Sequence, residues 1–278
     1  MRKIRLLVAL VLFPALLAAQ EHVTVKGRIV NEQGEGIEYV QLGVPRLQIG
    51  SISGPDGRFE IKVPCDTLVF FHVSYQQGYY PVTGPADDVV VVLREQELPP
   101  AVSIGGNAKE KYMMRPGTMI LKDTGVISTS VSGEHPTWRE VGSVARTSKP
   151  FLVQDILLTV HSNHIPGCVA SINIYRIEGK KEPFVNVLRH PIYFEVAESD
   201  KPLYLDIQPT WPLLLEPGKY FVAFQIVEYD KTVPLTREMS IEFNIYLKNS
   251  YLRETVLGEM ENFPVNIGIA VKGLEYQK

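Results

Sequence analysis

Apolar residues recur at every second position through most of this chain, in short runs that end at Gly, Pro, Asn or Asp. No window sustains the 3.6-residue repeat of an amphipathic helix. A period of two puts successive side chains on opposite faces of a strand, so a core can form only where sheets are laid on one another. The fold class that follows is all-β. Near the start, Val23, Val25, Gly27 and Ile29 alternate with Thr24, Lys26, Arg28 and Val30, and the run stops at Asn31-Glu32-Gln33-Gly34-Glu35-Gly36. A second run, 37–44, stops at Pro45. A third begins near Gly50 and reaches Gly54-Pro55-Asp56-Gly57, where Pro presets φ and Asp-Gly favours a hairpin into a strand at 58–63. The runs 68–75 and 89–93 read as continuously apolar, which predicts strands buried on both faces.

The pattern resumes after a stiff and then loose stretch, Pro99-Pro100 followed by Gly105-Gly106, which marks a linker at 96–108 between a first unit at 20–95 and a second at 109–278. In the second unit Ile172 and Ile174, then Ile192, Phe194 and Val196, then Leu203, Leu205 and Ile207 each share a face. The stretch 220–227 is apolar almost throughout, 241–248 alternates again, and Val265, Ile267, Ile269 and Val271 close the series. These runs predict a larger two-sheet sandwich, plausibly a jelly roll. The nearest thing to a helix is one or two turns at 108–115. With a core on each side of the linker, the two units are expected to fold separately.

The first nineteen residues stand apart. Arg2, Lys3 and Arg5 precede an apolar run at 6–19 that ends Leu17-Ala18-Ala19, the form of an export signal cleaved after Ala19. Its fourteen residues fall short of the roughly 20 that span a bilayer, and no Cys follows to take a lipid. The mature chain is therefore expected to begin at Gln20, to have no transmembrane segment and to reside in the periplasm or outside the cell. It carries 25 Lys/Arg against 31 Asp/Glu, and no basic run tracks a phosphate backbone, which excludes a nucleic-acid partner. Cys65 and Cys168 are too few for a disulfide framework; a single bridge and two buried small hydrophobes both remain open.

At the level of motifs, Val25-Lys26-Gly27-Arg28-Ile29-Val30, Gly34-x-Gly36-Ile37-x-Tyr39-Val40, the stretch from Gly50 to Phe59, Asp66-Thr67-Leu68-Val69-Phe70 and Val73-Ser74-Tyr75 occur in order. Over residues 23–94 this resembles the carboxypeptidase regulatory-like domain of exported Bacteroidota proteins. The resemblance implies a transthyretin-like, seven-stranded sandwich without catalytic activity, one module of a larger cell-envelope protein. Gly54 stands where that family usually has Asp. The segments around Trp138-Arg139-Glu140, Ile172-Asn173-Ile174-Tyr175 and Leu215-Glu216-Pro217-Gly218 resemble uncharacterised β-sandwich extensions that follow such domains.

No motif announces catalysis. None of the six histidines has a Glu three residues on, His-Glu-x-x-His is absent, and so is a Gly-x-Ser-x-Gly elbow. His161 and His164 form the one close His pair, at a turn that offers no further ligand, and Asp87-Asp88 and Glu195, Glu198 and Asp200 read as solvated loops. Neither an enzyme nor a metal or cofactor is expected. What remains is binding: interaction or assembly with another envelope protein as the first reading, a glycan held by the aromatic loops of the second unit as the alternative. The aromatic candidates are Trp138 and Trp211, both beside prolines where strands give way to loops, and Tyr79 and Tyr80. The ordinary role of a Trp in such a place is to plug the end of the sandwich, and on that expectation truncating Trp211 would cost roughly 3–5 kcal/mol.

Overall fold

The structure is a computed structural model that describes residues 22–97, 106–114, 125–131, 139–179, 184–232, 237–244, 250–264 and 266–277. The export signal read at 1–19 lies outside them. The first unit holds β1 (His22–Val30), β2 (Gln41–Val44), β3 (Ile49–Ile52), β4 (Arg58–Pro64), β5 (Thr67–Phe71), β6 (Gly78–Pro81) and β7 (Ala86–Val92). They make a seven-stranded sandwich of two sheets, in spatial order β4-β1-β7 and β3-β2-β5-β6. Residues from both sheets, among them Val25, Ile29, Leu42, Phe59, Leu68 and Phe70, meet in one core. Among the described residues there is no α-helix, only a 3-10 turn at Pro45–Leu47.

Turn chemistry explains the first reversals. Asn31 Oδ1 accepts the backbone N–H groups of Gln33 and Glu35, and Gly34 takes a φ of 83° that a side chain would resist. At Gly54-Pro55-Asp56-Gly57 the reversal is present, closed by Gly57 N–H donating to Gly54 O at 3.0 Å. The hairpin expected there is not: β3 and β4 belong to different sheets. Gly57, at φ 81°, lies so close to β1 that a Cβ would meet Ile29 O at 2.3 Å, and the chain is handed to β1 instead of back along β3.

Two more expectations fail for the same reason, a sheet edge. The run at 89–93 is not buried on both faces, since β7 ends its sheet and leaves Val90 and Val92 65% and 56% exposed. The helical turns expected at 108–115 are strand β8 (Ala108–Met114), antiparallel to the last strand of the chain. Its Ala-Lys-Glu-Lys composition favours helix in isolation, but Lys111 reaches Glu275 at 2.5 Å and Glu110 pairs with Lys272 across the ladder. Tertiary pairing overrides propensity, and charge on an outer strand discourages edge-to-edge aggregation.

The second unit continues with β9 (Gly125–Val131), β10 (Glu140–Thr147), β11 (Phe151–Asn163), β12 (Val169–Ile177), β13 (Phe184–Asn186), β14 (Ile192–Glu195), β15 (Leu203–Ile207) and β16 (Leu213–Leu215). It ends with β17 (Gly218–Glu228), β18 (Arg237–Asn244), β19 (Ser250–Arg253), β20 (Glu261–Phe263), β21 (Asn266–Ile267) and β22 (Ile269–Tyr276). One sheet runs β13-β12-β17-β10-β19-β20, with β14 also on β12; the other runs β21-β18-β11-β22-β8, with β15 and β16 on β11 and β9 on β18. The sheets share a core that includes Phe151, Ile156, Leu158, Ile172, Tyr220 and Phe224.

Strand β17 explains why its stretch of sequence does not alternate. Tyr220, Val222, Phe224 and Ile226 face the sandwich core, whereas Phe221 and Ala223 sit under a second cluster with Tyr175 and Phe184. Val227 packs with Ile52 of the first unit, and Gln225 is fully buried with its Oε1 accepting Gln41 Nε2 at 3.1 Å. The first unit therefore covers part of the outer face of this sheet. Gly50 permits the approach, because a Cβ there would meet Val256 O at 2.3 Å. Val73 and Phe71 of the first unit also reach the second unit's core.

The cysteines do not pair. Cys168 is buried, and burial pushes its thiol up to about 12, which keeps it protonated and unreactive; Cys65 is exposed, so the reading of two buried small hydrophobes holds for Cys168 alone.

Candidate functional site

Three concave surfaces lie where the two units meet. The segment from β13 to β14 supplies one wall, and the last residues before the linker supply the other. Gln96, at the start of the linker read from sequence, is held on both sides: its backbone N–H donates to Ser74 O, and its Oε1 accepts Arg189 Nη1 at 3.1 Å. Ser74 Oγ in turn donates to Arg189 O at 2.9 Å. This bracket separates two adjoining clefts that share Arg189 and Gln96.

The first cleft has a volume of about 460 Å³ and a polar lining that includes Asn31, Glu35, Glu38, Glu95 and His190. Partial burial holds the Glu38 carboxyl above its ordinary range. Beside this cleft lies Trp211, on the loop between β15 and β16, stacked on His190 with ring centroids 4.3 Å apart and planes 15° from parallel. It is 56% exposed. The expectation that Trp211 plugs the sandwich is overturned: Leu213–Leu215 pairs with β11 immediately after Pro212 and fills that place, so the indole is left outside.

The second cleft, of about 340 Å³, has no carboxylate among its described lining residues. Apolar walls from Phe71, Leu188, Tyr175 and Phe184 are edged by the amides of Gln41, Gln96 and Asn186 and by Arg189 and Arg253. Behind them lies a buried polar network. Glu140, fully buried at the start of β10, accepts Asn173 Nδ2 at 2.8 Å, Tyr175 OH at 3.0 Å and Arg253 Nη2 at 2.5 Å. Burial opposes the charge on Arg253, but the Glu140 carboxylate more than offsets it and holds the guanidinium protonated. Burial raises the Tyr175 phenol well above its ordinary range, so it stays a donor.

Between the units a small pocket of about 20 Å³ is lined by residues that include His72, Ser171 and Tyr193. Ser171 Oγ is buried without a hydrogen-bond partner, and the space suffices for one water. His72 Nδ1 accepts Ser74 N–H at 3.2 Å, which leaves the proton on Nε2, 3.4 Å from Tyr193 OH. Burial depresses the His72 imidazole to about 4.

The other sequence candidates lie elsewhere. Trp138 falls outside the described residues. Tyr79 and Tyr80 do not form one platform: on β6 they alternate, Tyr79 63% exposed and Tyr80 packed on the first core. His161 and His164 are exposed at the end of β11, and His164 Nε2 lies 2.9 Å from Asp200 Oδ1. Among the described residues no three His, Cys, Asp or Glu side chains converge. Sequence reasoning missed Arg189, Arg253 and Gln41. The signal available was polar residues such as Asn173 and Gln225 inside apolar strands, which must find partners when buried.

No protein-family model matches the sequence, and no curated protein matches it. Among solved structures, the crystal structure of a DUF3823 family protein from Parabacteroides merdae aligns at 10% identity and a TM-score of 0.23, over 93% of this chain and 99% of its own. A structure of infectious bursal disease virus Gx strain aligns at 8% identity and a TM-score of 0.24, over 80% of this chain and 53% of its own. Scores this low do not establish a shared topology.

Proposed function

We propose that this is an exported, non-enzymatic binding protein of the cell envelope whose ligand is a glycan, taken at the junction of the two sandwiches. The observation that carries the reading is the Trp211–His190 stack: one indole face rests on the imidazole, and the ring stands in solvent beside a polar cleft. A sugar offers aliphatic C–H faces to such a ring and hydroxyls to the Asn and Glu side chains next to it. The resemblance of residues 23–94 to carboxypeptidase regulatory-like domains agrees with an accessory, non-catalytic role. A second reading, docking of another envelope protein, is favoured by the outer edge of β7, where Val90 and Val92 stand exposed on a strand whose outer side has no partner among the described residues.

Trp211→Ala separates the two. The variant is expected to keep its thermal midpoint within about 2 °C, as an exposed side chain should, and to lose about tenfold or more of its affinity for whichever neutral oligosaccharide a glycan array selects. Unchanged glycan affinity would shift the reading to the β7 edge. Export makes its own prediction: N-terminal sequencing of the protein recovered from its native envelope fraction should begin at Gln20, and an intact Met1 in a membrane pellet would refute it.

A further inference from the structure

We infer that the second cleft reads a carboxylate, so that the glycan proposed above is an acidic one, with a uronic-acid residue seated between Arg189 and Arg253. The inference rests on the glycan reading and adds the chemical class of the sugar. Three observations carry it.

The first is charge. Arg253 and Arg189 both line a cleft with no carboxylate among the described lining residues, and Glu140, behind the wall, balances only one of them. A residual positive charge in a half-enclosed space favours a ligand with one negative charge.

The second is unused donor capacity. Arg253 is 8% exposed, yet among the described residues only its Nη2 is hydrogen-bonded, to Glu140 and Tyr175. Its Nε is buried without a partner. A guanidinium has five N–H donors, and leaving them unpaired in a site of low dielectric is costly. Arg189 has given Nη1 to Gln96 and is otherwise exposed.

The third is the rest of the lining. Phe71 and Phe184, half-buried, give aromatic surface for the C–H face of a pyranose, and Gln41, Gln96 and Asn186, each already bonded once or twice within the protein, keep a second amide hydrogen or lone pair for ring hydroxyls. The neighbouring cleft carries Glu35, Glu38 and Glu95, which would repel a second carboxylate there. The acidic residue of the chain is thus assigned to the arginine side and a neutral one to the Trp211 side.

The test compares a disaccharide of one glucuronic acid and one neutral sugar with its methyl ester, the same sugar without the charge, by calorimetry on the mature full-length chain at low salt. The acid is expected to bind about tenfold or more tighter than the ester, and raised salt should shrink the ratio. Arg189→Gln, at an exposed position where folding is not at risk, should bring the two affinities together. Equal binding of acid and ester would overturn the carboxylate inference and leave the glycan reading standing. Binding of neither, together with a failure of neutral oligosaccharides, would overturn both. A peptide ending in an apolar residue serves as a further arm: if it binds in preference to its C-terminal amide while the acidic disaccharide does not bind, the carboxylate belongs to a protein partner and the acidic-glycan assignment is refuted.

Discussion

Glu140→Gln should lower the unfolding free energy by about 3–5 kcal/mol, measured by urea denaturation. The carboxylate is fully buried and accepts from Asn173, Tyr175 and Arg253; the amide would leave the largely buried Arg253 charge without its counter-ion. The magnitude belongs to the orphaned charge more than to the pair. Taking two charges out of water offsets most of what their attraction returns, so the double variant Glu140→Gln with Arg253→Met should recover most of the single variant's loss. Arg253→Met alone should cost a similar amount. A single-variant loss under about 1 kcal/mol would show that water reaches the pair.

That network also shows how far the sequence is legible. Six of the seven strands of the first unit could be read because each run ends at a residue with a local reason to turn, as Asn31 and Gly34 do, whereas β6, with no run of its own, could not. Sheet membership could not. Whether β4 lies beside β3 or β1 is decided by the contact of Gly57 with the end of β1, which no local pattern records. The strand at β8 was misread because its residues favour helix and its partner, β22, lies more than 150 residues away. At the site, Trp211 was legible as a residue but not in its role, because exposure depends on which neighbour fills the sandwich end. The arginines were invisible for a plainer reason: Arg189 and Arg253 lie far apart in sequence and acquire a common purpose only when β13 and β19 flank the same cleft. The apolar stretch at 220–227 did hold the clue to the junction. A strand buried on both faces at the middle of a two-layer sandwich needs a third layer, and the first unit supplies part of it, with Gln225 marking the contact.

Acidification from about pH 6.5 to 4 should weaken the fold through His72, by about 3 kcal/mol if the imidazole goes from its ordinary value in the unfolded chain to about 4 in the folded one. The sign follows from proton uptake. Above the unfolded value both states are neutral at this residue, and the contribution of neutral His72 is fully present. Within the window the unfolded chain takes up a proton that the folded chain refuses, so stability falls as pH falls; below about 4 both states are charged and the loss is complete. The cause is geometric, since the ring is 6% exposed between the units, its Nδ1 is occupied as an acceptor from Ser74, and Tyr193 faces its Nε2. Glu38 works the other way, because burial raises its carboxyl and protonation favours the folded state as pH falls through that range. The contribution of His72 is therefore read as a difference. Chemical denaturation at pH 7 and pH 4 should show the wild type losing about 3 kcal/mol more than His72→Gln, whose side chain cannot take up the proton. Because His72 packs against Tyr193 from the first unit's side, the loss should appear first as a loosening of the junction, seen as faster hydrogen exchange at Ser74 and Tyr193 before the strands of either core exchange. Parallel pH profiles for wild type and variant would place the acid sensitivity of the fold elsewhere.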